Sequence, residues 1–253
     1  RIRLLSSDPH LIHILTSCRR GVKIEVQNFR VIIDRFIFER GQIMEIGYYR
    51  VGEDYGWDQE KFSDPLMKIG GCAAVTACDS CIYFSRYFGV REAYPFDPEY
   101  VTEADYKNFA KIMKRYLHPR WGGIDRLDTY IDGIYRYFHQ TGNDRIQARG
   151  LSGETESDLA KSALKRQIDE RIPVPCLILK HKDTRFEDFT WHWFMITGYE
   201  EKEDVFMIKA VSYGQWQWLD FKALWDTGYE QKGGLIIYEV KERTPRFYRG
   251  EQS

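Results

Sequence analysis

Residues 70–89 read GGCAAVTACDSCIYFSRYFG, and the fold follows from how this stretch is read. Gly70 and Gly71 let the backbone turn sharply, no breaker interrupts the next seventeen residues, and Gly89 supplies a stop, so a helix is predicted from Cys72 to Phe88. At helical spacing Ala74, Ala77, Cys78, Cys81, Phe84 and Phe88 share one apolar stripe, the mark of a core face. Cys72 falls instead with Thr76, Asp79, Tyr83 and Arg86 on a more polar face. A thiol at a helix start meets unpaired N–H groups and the positive end of the macrodipole, which favour thiolate. Cys72 is therefore the candidate nucleophile, with its own N–H placed to help hold an oxyanion. Two other readings stand beside it. A buried cysteine is ordinarily a small hydrophobe, and Cys72 with Cys78-x-x-Cys81 offers thiolates to zinc, although no second such pair or nearby histidine completes four ligands.

Outward from this helix the chain divides in two. Residues 1–55 hold short β-like runs, VKIEV at 22–26, VII at 31–33 and IMEIGYY at 43–49, and are read as a β-rich N-terminal appendage. Residues 56–253 are read as the main domain. After the central helix, Thr102 with Asp105 resembles a capping box for a helix to about Leu117. A second helix fits 124–140, with Ile124, Leu127, Ile131, Ile134, Tyr135 and Phe138 inward, and a third fits 157–171. Strand patterns follow at 174–180, 192–199, 205–211 and 234–241. Helices first and an antiparallel sheet afterwards make an α+β fold whose halves face one another across a cleft.

Composition bounds the function. Lys and Arg number 37 against 38 Asp and Glu, so no net field draws nucleic acid or an anionic membrane surface. No apolar run approaches the roughly 20 residues of a membrane span. Five cysteines, three of them between 72 and 81, do not form a secreted disulfide framework, and free thiols in the cytoplasm are the favoured reading. Because the chain starts at Arg1 with neither Met nor a leader, a secreted mature chain is kept beside it. No cofactor and no metal is expected.

A nucleophilic cysteine needs a base. His192 opens the apolar strand HWFMITGY, whereas His10, His13, His118, His139 and His181 lie in polar or helix-end contexts. The spacing from His192 through five residues to Gly198-Tyr199 resembles the catalytic-histidine segment of papain-like enzymes. GGCAAVTA at 70–77 is similar to the Gly-Cys-Gly-Pro-Thr-Ala start of bacteriocin-leader-processing (C39-like) peptidases. The resemblance covers residues 64–240. It implies a papain-like fold and cysteine-dependent hydrolysis of a peptide or amide through an acyl-enzyme, with Cys72 as nucleophile and His192 as base.

The sequence departs from that pattern at three points. Where the relatives carry Asn or Asp ahead of an aromatic and a glycine, KAVSYG stands at 209–214, so Ser212 is the first choice to orient His192. Asp204, Asp220 or a bare dyad are the alternatives. Leu66 occupies the place of the oxyanion glutamine, for which Gln59 is a loose substitute, and Ala73 replaces a glycine. In a rival register, ACDSCIYF at 77–84 resembles the Cys-Gly-Ser-Cys-Trp-Ala-Phe stretch of papain and promotes Cys81, but needs the helix to begin near residue 80. Trp191, Trp193, Trp216, Trp218 and Trp225 flank or follow the histidine strand and are candidate walls of the cleft. The same residues also suit a catalytically silent domain that binds peptide or protein, or an acyltransferase.

Overall fold

A computed structural model of the chain describes residues 41–241. The strands expected at 22–26 and 31–33, and with them most of the 1–55 appendage, lie outside those residues. Residues 43–201 and 205–241 belong to one compact unit. Its strands are β1 (Gln42–Glu45), β2 (Arg50–Val51), β3 (Asp54–Tyr55), β4 (Ile146–Ser152), β5 (Val174–Ile178), β6 (His192–Lys202), β7 (Val205–Ser212), β8 (Gln215–Asp220) and β9 (Gly234–Val240). Its helices are α1 (Pro65–Gly70), α2 (Cys72–Phe88), α3 (Glu103–Met113), α4 (Leu127–Thr141), α5 (Ser157–Asp169) and α6 (Phe221–Trp225).

The helix α2 begins and ends where the sequence places it. Gly89 adopts a left-handed φ of 62° and returns its N–H to Phe84 O, the usual glycine stop. At the other end Gly70 and Gly71 are required by close approach: a Cβ on Gly70 would stand 1.9 Å from Arg120 O, and one on Gly71 2.3 Å from Met67 O. Thr102 caps α3 by accepting from Asp105 N at 3.1 Å and donating to Asp105 Oδ2 at 2.6 Å. The helix ends at Met113 rather than Leu117, the chain then closing in turns. In α4 the inward tyrosines are Tyr130 and Tyr137, while Tyr135, expected inward, is exposed.

The sheet runs β4-β9-β5-β6-β7-β8, with β1 pairing β6, and the pairings β4–β9, β9–β5, β5–β6 and β7–β8 are antiparallel. Helices α4 and α5 pack on β9, and α2 packs on β5 and α3. The fold is α+β with a large antiparallel sheet. The expected division into helices first and sheet afterwards is looser than foreseen, because β4 comes from the helical half and β1 from the segment read as an appendage, and both join the sheet. The strand β4, IQARGLS, escapes a period-two reading because it is an edge strand carrying Arg149 and Gly150.

The more polar side of α2 is buried as well: every residue from Cys72 to Ser85 is buried, and Thr76 and Asp79 line a small cavity together with His192 and Ser212. Their polar groups are satisfied inside the protein, as burial requires. Thr76 Oγ1 donates to Cys72 O and Ala73 O. Asp79 accepts from Tyr49 OH at 2.7 Å, Tyr106 OH at 2.6 Å and Tyr48 OH at 3.2 Å. Burial raises the Asp79 carboxyl to about 6 against the pull of the three phenols.

A buried acid with a raised pKa binds its proton more tightly folded than unfolded. Its contribution is thus fully present below pH 4 and lost as pH rises to about 6. Measured by urea unfolding, the wild type is expected to lose about 3 kcal/mol relative to Asp79→Asn between about pH 3 and about pH 7, most of it between the unfolded and folded pKa values. A difference that does not change with pH would contradict the burial assigned to Asp79.

Candidate active site

The strand β6 opens at His192, directly opposite Ile178 of β5. Trp191, just before it, holds a left-handed φ of 52° while its N–H bonds Leu179 O at 2.9 Å, so the chain turns into the strand at this point. The strand β7 ends at Ser212, and a two-residue turn, Tyr213 (φ 50°) and Gly214 (φ 71°), returns it into β8, with Ser212 paired to Gln215. Two left-handed residues match the twist of a tight hairpin. Glycine takes this conformation freely, whereas tyrosine does so at a cost of about 1–2 kcal/mol. Tyr213 stacks on the His192 ring, centroids 4.9 Å apart and planes 3° from parallel, and this contact offsets part of that strain.

His192 Nε2 lies 2.6 Å from Ser212 Oγ. The hydroxyl proposed from sequence as the orienting group thus bonds the imidazole, whereas Asp220 caps α6 through Ala223 N. With Tyr213 on its face and Ser212 on Nε2, the ring is fixed in plane and orientation. His192 is only 6% exposed, and burial lowers its pKa to about 4, so the imidazole is neutral at pH 7.

Cys72, 4% exposed, stands at the first residue of α2. Burial raises the pKa of its thiol, opposed by hydrogen bonds from the backbone N–H groups of Trp193, Ala73 and Cys72 itself. The expectation that the helix start leaves a thiolate is therefore not met in the resting state: desolvation outweighs the N–H groups. The Trp193 contact places the sulfur against the residue that follows His192, and the charge of Cys72 also acts on the Tyr213 phenol. Ser212 thus bonds the His192 ring, and the Cys72 sulfur meets the backbone of Trp193, the next residue along β6. Cys81 lies mid-helix and fully buried, its thiol raised by burial, which removes the register that promoted it.

No protein-family model, curated protein or solved structure matches this chain.

Three features of the surroundings were not readable from sequence. Gln59 is buried, and its Nε2 donates to Lys68 O at 2.8 Å, which ties it to the residues ahead of Cys72 rather than leaving it as an oxyanion donor. Its Oε1 and Trp57 Nε1 are buried without a protein partner, and both residues line a cavity of about 10 Å³ with His192, Ser212 and Asp79, room for one water. The tryptophans separate: Trp193 is buried, donating to Ile124 O at 2.6 Å and stacking on Tyr130, whereas Trp191 is exposed. Strand alternation predicts a shared face, and the left-handed φ at Trp191 breaks it.

A histidine whose folded pKa is depressed contributes stability above its unfolded pKa, near 6.5, and loses it as pH falls towards 4. The wild type is expected to lose about 3 kcal/mol relative to His192→Gln over that interval. The sign is opposite to that of Asp79. A histidine titrating near pH 6.5 by NMR, with no such loss, would contradict the buried neutral ring.

Proposed function

We propose that the protein is a cysteine-dependent amide or peptide hydrolase of papain-like architecture, with Cys72 as nucleophile, His192 as base and Ser212 as the group that orients His192. The observation that carries this reading is the 2.6 Å contact between His192 Nε2 and Ser212 Oγ in a chain that also brings the Cys72 thiol to the backbone beside His192. In the productive tautomer Nε2–H donates to Ser212 Oγ, and Nδ1 offers its lone pair to the thiol proton. Because the resting pair is neutral, the proton moves as the sulfur attacks: Cys72 Sγ bonds the carbonyl carbon while its proton passes to His192. The imidazolium returns that proton to the departing amine as the C–N bond breaks. Water, deprotonated by His192, then cleaves the thioester and frees the acid and the thiol. The N–H groups of Cys72 and Ala73, which bond the resting sulfur, would have to turn to the developing oxyanion as the sulfur attacks.

One observation favours a second reading, a silent domain that binds peptide without turning it over. Thiol and imidazole are both buried and neutral, so no ion pair stands ready.

Alkylation separates the two. Under iodoacetamide, with sites mapped by peptide mass so that Cys18 is counted separately, Cys72 is expected to react well ahead of the fully buried Cys78, Cys81 and Cys176. His192→Ala is expected to slow the Cys72 reaction by on the order of a hundredfold. A Cys72 that reacts no faster than Cys78, or at a rate indifferent to His192, would reject the hydrolase reading.

A further inference from the structure

We propose that the depression between Ile69, Trp121, Gly122, Gly123 and Trp191 is the side-chain pocket of this site, and that it takes a large apolar side chain carried on an acidic peptide. The inference rests on the Cys72–His192 reading for its location and adds the chemistry of the substrate.

The depression encloses about 410 Å³, within the range of small-molecule sites, and no charged side chain lines it. Its walls are the kind of surface a folded chain normally hides: Trp121 is 79% exposed, Ile69 55% and Trp191 45%. Trp121 is the most exposed of the large apolar residues among the described residues. At Gly122 an added Cβ would meet nothing within 4 Å, so the backbone there lies open to an extended peptide.

Each wall is tied to the candidate dyad. Ile69 lies three residues before Cys72, on α1. The Trp121 segment is fixed to the same place because Arg120 O packs against Gly70 so tightly that no side chain fits between them. Trp191 immediately precedes His192, and its left-handed φ turns it out of the strand. Trp191 O lies 4.0 Å from the Cβ position of Gly123, which closes the pocket on that side. A side chain held here belongs to a molecule whose backbone passes the thiol.

The charges around the pocket fix the sign of the occupant. One wall has a cation against it, Lys180 Nζ lying 5.8 Å from the Trp191 ring centroid, and Lys68 and Arg120 are the sequence neighbours of Ile69 and Trp121. Among the described residues none of the three forms an ion pair with a carboxylate. The carboxylates of Glu60, Asp188 and Asp58 act instead on Tyr213, over the His192 ring. Lys180 thus sets a cation at the Trp191 wall, to which an anionic flank on the apolar residue is drawn.

The test uses binding without turnover. Fluorescein-labelled hexapeptide amides are titrated into full-length Cys72→Ala and read by anisotropy: one with phenylalanine flanked by aspartates, one with serine in place of the phenylalanine, and one with lysines in place of the aspartates. The first is expected to bind about tenfold tighter than either of the others. Trp121→Ala should remove the advantage over serine, and Lys180→Glu the advantage over the lysine-flanked peptide. Thermal unfolding of both variants should match that of the parent, since the two side chains are exposed. Equal binding of the three peptides, or a phenylalanine preference that survives Trp121→Ala, would overturn the proposal. Because Cys72→Ala carries no nucleophile, a preference seen here stands even if the wild-type thiol proves unreactive, and an inert pocket leaves the alkylation result untouched.

Discussion

Burying a helix that carries an aspartate is the constraint around which this fold is arranged. The helix α2 runs through the core with Asp79 in its middle, and an unpartnered carboxylate there would cost several kcal/mol. Three phenols meet it, from Tyr48 and Tyr49 ahead of the helix and Tyr106 on α3. Those contacts hold the 46–49 segment and α3 against α2, and the aromatic rings around them, Trp57 on Tyr106 and Tyr48 on Tyr83, fill the space between. Fixing α2 in this way also fixes its first residue. Cys72 is delivered to the sheet by the same packing that accommodates Asp79.

The opposing half of the site comes from strand ends rather than from strand interiors. His192 begins β6 and Ser212 ends β7, and each is flanked by a residue in the left-handed region, Trp191 on one side and Tyr213 on the other. Such conformations persist where the surroundings over-determine them. Here Tyr213 covers the imidazole and Trp191 leaves the sheet for the surface. The two buried titrations, Asp79 and His192, act on stability in opposite directions over nearly the same pH interval, so each largely masks the other until one is replaced.

What could be read from the sequence was local. The limits of α2, its glycine stop and the Thr102 cap are encoded within a few residues and stand where expected. Ser212 was reachable as the side chain occupying the place of an expected Asn or Asp, and its hydroxyl does bond His192. What could not be read depended on distant partners. Asp79 could be read only as part of a more polar helix side, because the tyrosines that bond it lie 27 to 31 residues away in sequence. The Cys72 thiol was expected low because helix-end electrostatics is visible in sequence whereas desolvation is not. Trp191 and Trp193 were expected to share a face, and one backbone angle separated them.

The central claim is that the Cys72 thiol becomes a nucleophile through His192. Acyl transfer from 4-nitrophenyl acetate, quenched in acid and mapped by peptide mass spectrometry, tests it most directly. The account predicts one acetyl group on the peptide containing Cys72, formed quickly in the wild type and lost in both Cys72→Ala and His192→Ala. Acetylation confined to other residues, or acetylation of Cys72 that proceeds equally fast without His192, would contradict it.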